Sequence, residues 1–198
     1  EDVGGEPGSL RRTAAEYLTE LGITGLDALV VTHLHEDHFG GTAALAEKVS
    51  IGTVYSGFFP CLPVASITRT GAEEKTVRGL MDCLERWASC TEKLTAHGCR
   101  LCQVEDTAVL SLTPRLEAEL ICGDRSAAAR QRQVWTELLA GETADPDRVW
   151  WSSKFRNPGS RRVCLRYAGR RIQRAGDCYG AVWEDRATPC DIFKVPHH

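Results

Sequence analysis

Residues 33–38 read His-Leu-His-Glu-Asp-His, entered from the apolar run Ala28-Leu29-Val30-Val31-Thr32 and left through Gly40-Gly41. His33, His35, Asp37 and His38 thus place four metal-competent side chains within six positions, at the end of a predicted buried strand. In extended chain His33 and His35 point to one side, so both imidazoles can reach one ion. Asp37 and His38 follow where the chain must turn, and adjacent residues diverge, so they can serve a second ion. Imidazole with carboxylate suits zinc, and also manganese or iron. A polar surface loop can carry the same residue types. Against it, five of the six histidines of the chain fall in this hexad or at the extreme C-terminus. The pattern predicts a metal centre.

The 198 residues suit a single domain, 1–198, large enough for a core of its own. A hydrophobic content of 42% with 26% charged residues is that of an ordinary globular chain. No apolar run is long enough to cross a bilayer, and residues 1–25 lack a signal-peptide pattern. The chain starts at Glu1 rather than at a methionine, so the parent protein is expected to extend further. Nine cysteines include Cys99-x-x-Cys102, with no second pair at zinc-ribbon spacing. On a strand those two thiols take opposite faces, so the cysteines read as small core residues of a reducing compartment.

The net charge of −3 is unevenly spread. No acidic residue separates Asp147 from Asp177, an interval holding Arg148, Lys154, Arg156, Arg161, Arg162, Arg166, Arg170, Arg171 and Arg174. Such asymmetry attracts anionic substrates.

Helices are predicted from Ser9 to about Leu21, over Thr42–Val49, over about 73–97 and over Ser126–Ala140. The inner face of the long one carries Val77, Leu80, Leu84, Trp87, Ala88, Thr91 and Leu94. Strands are predicted at 28–32, 51–55, 99–104, 108–112 and 116–122, then as a hairpin of 162–168 and 170–175, and at 191–195. Residues 56–72 and the polar, tryptophan-containing stretch 141–160 read as loops. Interleaved helices and strands with an increasingly antiparallel second half imply a layered α/β arrangement. The metal-competent residues sit at three strand ends: 33–38, Asp177 and His197-His198.

Thr32-His-Leu-His-Glu-Asp-His-Phe-Gly-Gly41 resembles the signature of the metallo-β-lactamase fold superfamily, His-x-His-x-Asp-His after a strand. Asn157-Pro-Gly-Ser160, Val163-Cys-Leu-Arg-Tyr167, Ala175-Gly-Asp177 and Asp191-Ile-Phe-Lys-Val-Pro-His-His198 resemble the branch containing the hydrolase domain of ComEC-type competence proteins. This resemblance spans most of residues 9–198 and implies an αββα sandwich with one or two metal ions, zinc or alternatively manganese, at the sheet edge. Carried over by position, it implies His33 and His35 on the first ion and Asp37 and His38 on the second. Asp177 would bridge them, and His197 or His198 would complete the second site. The further histidine usual for the first ion has no clear counterpart, because His97 lies at a helix end and reads as a terminal cation. The closing Gly-Ser and strands of the family are also not reached by His198, so the chain reads as lacking first and last strands.

The resemblance implies a metal-dependent hydrolase, with Asp37 and Asp177 in catalytic roles. Bound cations lower the pKa of water to roughly 7 and polarise phosphoryl or carbonyl oxygens. Arg162 and Arg166 share one strand face, with Cys164 between them, and are the candidate phosphate contacts. Trp150 and Trp151, beside Lys154 and Arg156, are candidates to stack bases. A phosphodiester or nucleic acid is the expected substrate, with DNA uptake as the ComEC-type context. The competing expectations are hydrolysis of small esters or lactones, and a degenerate domain used for DNA or partner docking. Location follows the parent: cytoplasmic if free-standing, at the cell surface if part of a ComEC-type membrane protein.

Overall fold

A computed structural model describes residues 12–67, 69, 74–142, 144–154, 156–178, 180 and 188–195. The expected cap at Ser9 and the expected ligands His197 and His198 lie outside the described residues.

The first helix, α1 (Ala14–Glu20), opens at Thr13, whose side chain and that of Glu16 cap each other's backbone N–H groups. The parallel strands β1 (Gly25–Val30), β2 (Ser50–Ser56) and β3 (Arg100–Gln103) form one sheet in that order. Parallel neighbours require crossovers. The first runs through α2 (Glu36–Phe39) and α3 (Thr42–Ala46), the second through α4 (Lys75–Ala96). Helix α4 is capped by Glu74 and buries Val77, Leu80, Met81, Cys83, Leu84, Trp87, Ala88, Cys90, Thr91 and Leu94, the stripe expected from its spacing plus Met81, Cys83 and Cys90. Trp87 is fully buried, its indole N–H donating to the Phe58 carbonyl at 2.9 Å, with Phe39 and Phe59 against its ring.

The second sheet has the order β4 (Thr107–Thr113), β5 (Leu116–Cys122), β6 (Arg161–Tyr167), β7 (Arg170–Arg174) and β8 (Ile192–Lys194). Its strands are antiparallel except that β8 runs parallel to β7. Val30 and Tyr55 of the first sheet meet Ala108, Leu110, Leu120, Val163 and Leu165 of the second, so the two sheets face each other. The helices share a larger core with the opposite face of the first sheet. Helix, sheet and sheet are thus layered by the described residues, an α/β architecture consistent with the metallo-β-lactamase fold.

The stretch 141–160 departs from the loop expected for it. Residues Pro146–Lys154 form α6, and Asn157–Gly159 a 3-10 turn. Asp145 accepts the Asp147 N–H at 2.8 Å and Pro146 takes the first helical position, a start signal with a fixed φ. Helix α6 buries Val149, Ser152 and Ser153 between α4 and α5 (Arg125–Leu139). No described helix is long and apolar enough to cross a membrane.

Candidate metal centre

The strand β1 runs on beyond its last ladder residue. The Val31 N–H donates to Tyr55 O at 2.9 Å, and Thr32 O accepts the Arg161 N–H at 2.9 Å. That second bond ties the exit of the first sheet to the start of β6, and so brings Ser160 beneath His33. His35 is still extended (φ −114°, ψ 146°) and caps α2, which turns His38 inward. Phe39, next in α2, lies edge-on to Trp87 at 5.2 Å, fixing the short helix on α4.

Asp177 arrives from the end of β7. Gly176 has φ +59°, and a Cβ there would lie 2.4 Å from Ser160 Oγ and 2.8 Å from Arg161 O. Both the left-handed backbone and the close approach require glycine. Asp177 follows as a fully buried carboxylate.

Its Oδ2 is 3.4 Å from His38 Nε2 and 3.6 Å from His33 Nε2. One ligand atom each from His33, His38 and Asp177 falls within 4.8 Å of the others, and all three residues are buried. His33 Nε2 and His35 Nδ1 are 2.9 Å apart, so the two imidazoles converge on one point. On its other side His33 Nδ1 lies 3.1 Å from Thr32 Oγ1 and 3.4 Å from Ser160 Oγ. The hydroxyls thereby leave Nε2 facing the carboxylate. Ser160 Oγ also accepts the Asp177 N–H at 3.2 Å, so one buried hydroxyl orients two members of the cluster.

The donor set fits a zinc-like ion. Ligand atoms bound to zinc at about 2.0–2.2 Å lie within about 4 Å of one another, the scale of the two Asp177–histidine separations. His38 supplies the second argument: both of its ring nitrogens are buried and make no hydrogen bond. Native structures rarely leave buried polar atoms so, unless a further ligand completes them.

Asp37 stands at the rim. Its side chain is 54% exposed, with Oδ2 3.4 Å from His38 Nε2. His97 caps the C-terminal end of α4 and borders Gly25, Asp27 and Gly52, at the end of the first sheet opposite the hexad. Arg162 and Arg166 differ from the expected open phosphate-binding pair. Arg162 is buried, whereas Arg166 donates to Glu117 Oε1 at 2.6 Å and to Glu119 Oε2 at 3.1 Å. The cross-strand carboxylates of β5 neutralise that face. Trp150 and Trp151 are likewise engaged by Lys154 and Arg130 over their rings. Ser160 and Gly176 belong to the site although neither is a metal-ligand residue type; the signal for them is the motifs Asn157-Pro-Gly-Ser160 and Ala175-Gly-Asp177.

Comparison with curated proteins finds no match. Among solved structures, the zinc-bound PqqB from Methylobacterium extorquens is similar with a TM-score of 0.43 and 13% identity, covering 84% of this chain and 44% of that one. The chain therefore spans less than half the length of that structure. The family comparison reaches the hexad itself: residues 2–58 match the model of the metallo-beta-lactamase superfamily.

Proposed function

We propose that this chain is the metal-binding part of a hydrolase that cleaves phosphodiesters, with a ComEC-type domain as a functional analogue. The observation that carries the reading is the buried cluster of His33, His38 and Asp177, with both His38 nitrogens lacking hydrogen bonds. His33, His35 and Asp177 would hold one zinc ion; His38, Asp37 and Asp177 a second, with His197 or His198 completing it. Zinc in such a site supplies Lewis acidity and lowers the pKa of a bound water to about 7.

The chain's own residues divide the remaining work. Ser160 and Thr32 fix the His33 ring, and Ser160 fixes the backbone of Asp177. Asp37, half in solvent beside His38, is placed to orient a water at the rim of the cluster as well as to bind metal. The ComEC-type analogy rests on the Asn157–Ser160, Gly176-Asp177 and Asp191–His198 motifs.

The test is elemental analysis of the full chain after exposure to zinc, beside turnover of bis(p-nitrophenyl) phosphate. One or two ions per chain are expected. Asp177→Asn should lose metal and turnover while keeping the wild-type circular dichroism. A wild-type chain that retains no metal would overturn the enzyme in favour of a degenerate docking domain. Metal without phosphodiester turnover, but with lactone or ester cleavage, would move the substrate class.

A further inference from the structure

A narrow, half-enclosed pocket opens beside His33, lined among others by Ser56, Gly57, Arg132, Arg156 and Arg161. We propose that it is an anion site that receives the phosphoryl group of the substrate, with these three arginines as its cations. This rests on the hydrolase reading for its substrate, but not for its physical basis.

Arg161 is the unusual member. It is 6% exposed, and its guanidinium donates to Val104 O at 3.2 and 2.9 Å and to Gly159 O at 2.9 Å. No ion pair to it is found among the described residues. Gly57 makes room for it, since a Cβ there would stand 1.7 Å from the guanidinium carbon. Burial pulls its pKa below the ordinary arginine value, and the charge of Arg132 acts in the same sense. Buried charges are normally paired.

The two neighbours have donors to spare. Arg132 reaches the pocket from α5, where Ala128, Gln131, Arg132 and Trp135 line it at helical spacing. Its Nη1 is buried without a hydrogen bond, while Nη2 lies 3.5 Å from Glu105, a residue mostly in solvent. Arg156 donates from Nη1 to Leu34 O at 3.4 Å, and its Nε is buried without a partner. Arg156 also borders the groove containing His35 and Asp37, so it spans from pocket to hexad. Three guanidinium groups around a cleft, with one solvent-exposed carboxylate at its edge, form an incomplete charge set. Guanidinium forks match phosphoryl oxygens in geometry and charge. An anion seated there would lie against His33, with its scissile bond towards the metal cluster.

The experiment uses metal-free full-length protein and inorganic phosphate, followed by calorimetry, so that metal ligation cannot supply the binding. Phosphate should bind the wild type, with affinity falling as salt rises. Arg132→Ala and Arg156→Ala should each weaken it by about tenfold or more, as loss of a charged hydrogen bond does. Arg132→Lys should retain part of the affinity, which a purely architectural role would not give. Urea midpoints report whether each variant folds, and Arg132, reaching in from one helix, keeps the test alive if Arg156→Ala does not. Asp177→Asn should leave phosphate binding intact. Its loss of metal and turnover tests the hydrolase reading separately. Absence of phosphate binding, binding indifferent to both arginine changes, or acetate binding as tightly as phosphate would overturn the proposal.

Discussion

Replacing Ser160 by alanine should separate orientation of the metal ligands from their identity. The residue is fully buried, and its hydroxyl accepts the Asp177 N–H at 3.2 Å while lying 3.4 Å from His33 Nδ1. Removing it leaves a buried N–H without an acceptor, a cost of about 1–3 kcal/mol in the metal-free protein. Loss of an outer partner of a metal ligand typically weakens binding by about 10–100-fold. Thr32 Oγ1, at 3.1 Å, is the closer partner of the His33 ring and survives the change. The expected loss of zinc affinity is therefore at the lower end, about tenfold, or about 1.4 kcal/mol. Competition with a chromophoric chelator measures the affinity, and urea unfolding of metal-free protein measures the stability. Ser152→Ala is the matched control, because that buried hydroxyl accepts from Trp135 Nε1 at 2.8 Å instead. It should cost comparable stability and leave zinc affinity unchanged. If Ser160→Ala lost stability but bound zinc as tightly as the parent, the orienting role assigned to this hydroxyl would be refuted.

Two further outcomes follow from titration and burial. The Glu74 carboxyl is held down at about 2, chiefly by the Thr76 hydroxyl, with the Val77 N–H and Lys154 assisting. Its folded pKa lies below the ordinary 4.5, so the stabilisation it gives is present above about 4.5 and is lost as pH falls towards about 2. The stability difference between wild type and Glu74→Gln should shrink over that range, and a difference constant with pH would count against the cap. Burial raises Cys83 to about 11 and Cys90 to about 12, whereas Cys61 is exposed. Alkylation of the folded chain at pH 8, followed by mass spectrometry, should mark Cys61 and spare those two; early modification of Cys83 or Cys90 would contradict the packing of α4.

What was legible in the sequence was what is local. The α4 stripe and the β4–β7 boundaries follow from spacing alone, and the hexad brings its ligands within six residues of one another. Helix α6 was also written there, in Asp145-Pro146, but the polar letters that follow obscured an amphipathic face. The anion pocket shows why charge density misleads. Arg161 and Arg162 are sequence neighbours, yet strand alternation sends them to opposite faces of β6. Arg166 shares the face of Arg162, and there β5 supplies Glu117 and Glu119. The partner that counts for Arg161 is Arg132, brought from a different element by tertiary packing. One backbone bond organises both sites. The Arg161 N–H on Thr32 O seats Ser160 under His33, and the same residue's side chain turns the other way, over Gly57, into the pocket. Metal cluster and anion pocket are therefore built from opposite sides of a single joint between the sheets. A change that loosens the start of β6 should damage both together, whereas Arg132→Ala and Asp177→Asn should each damage one.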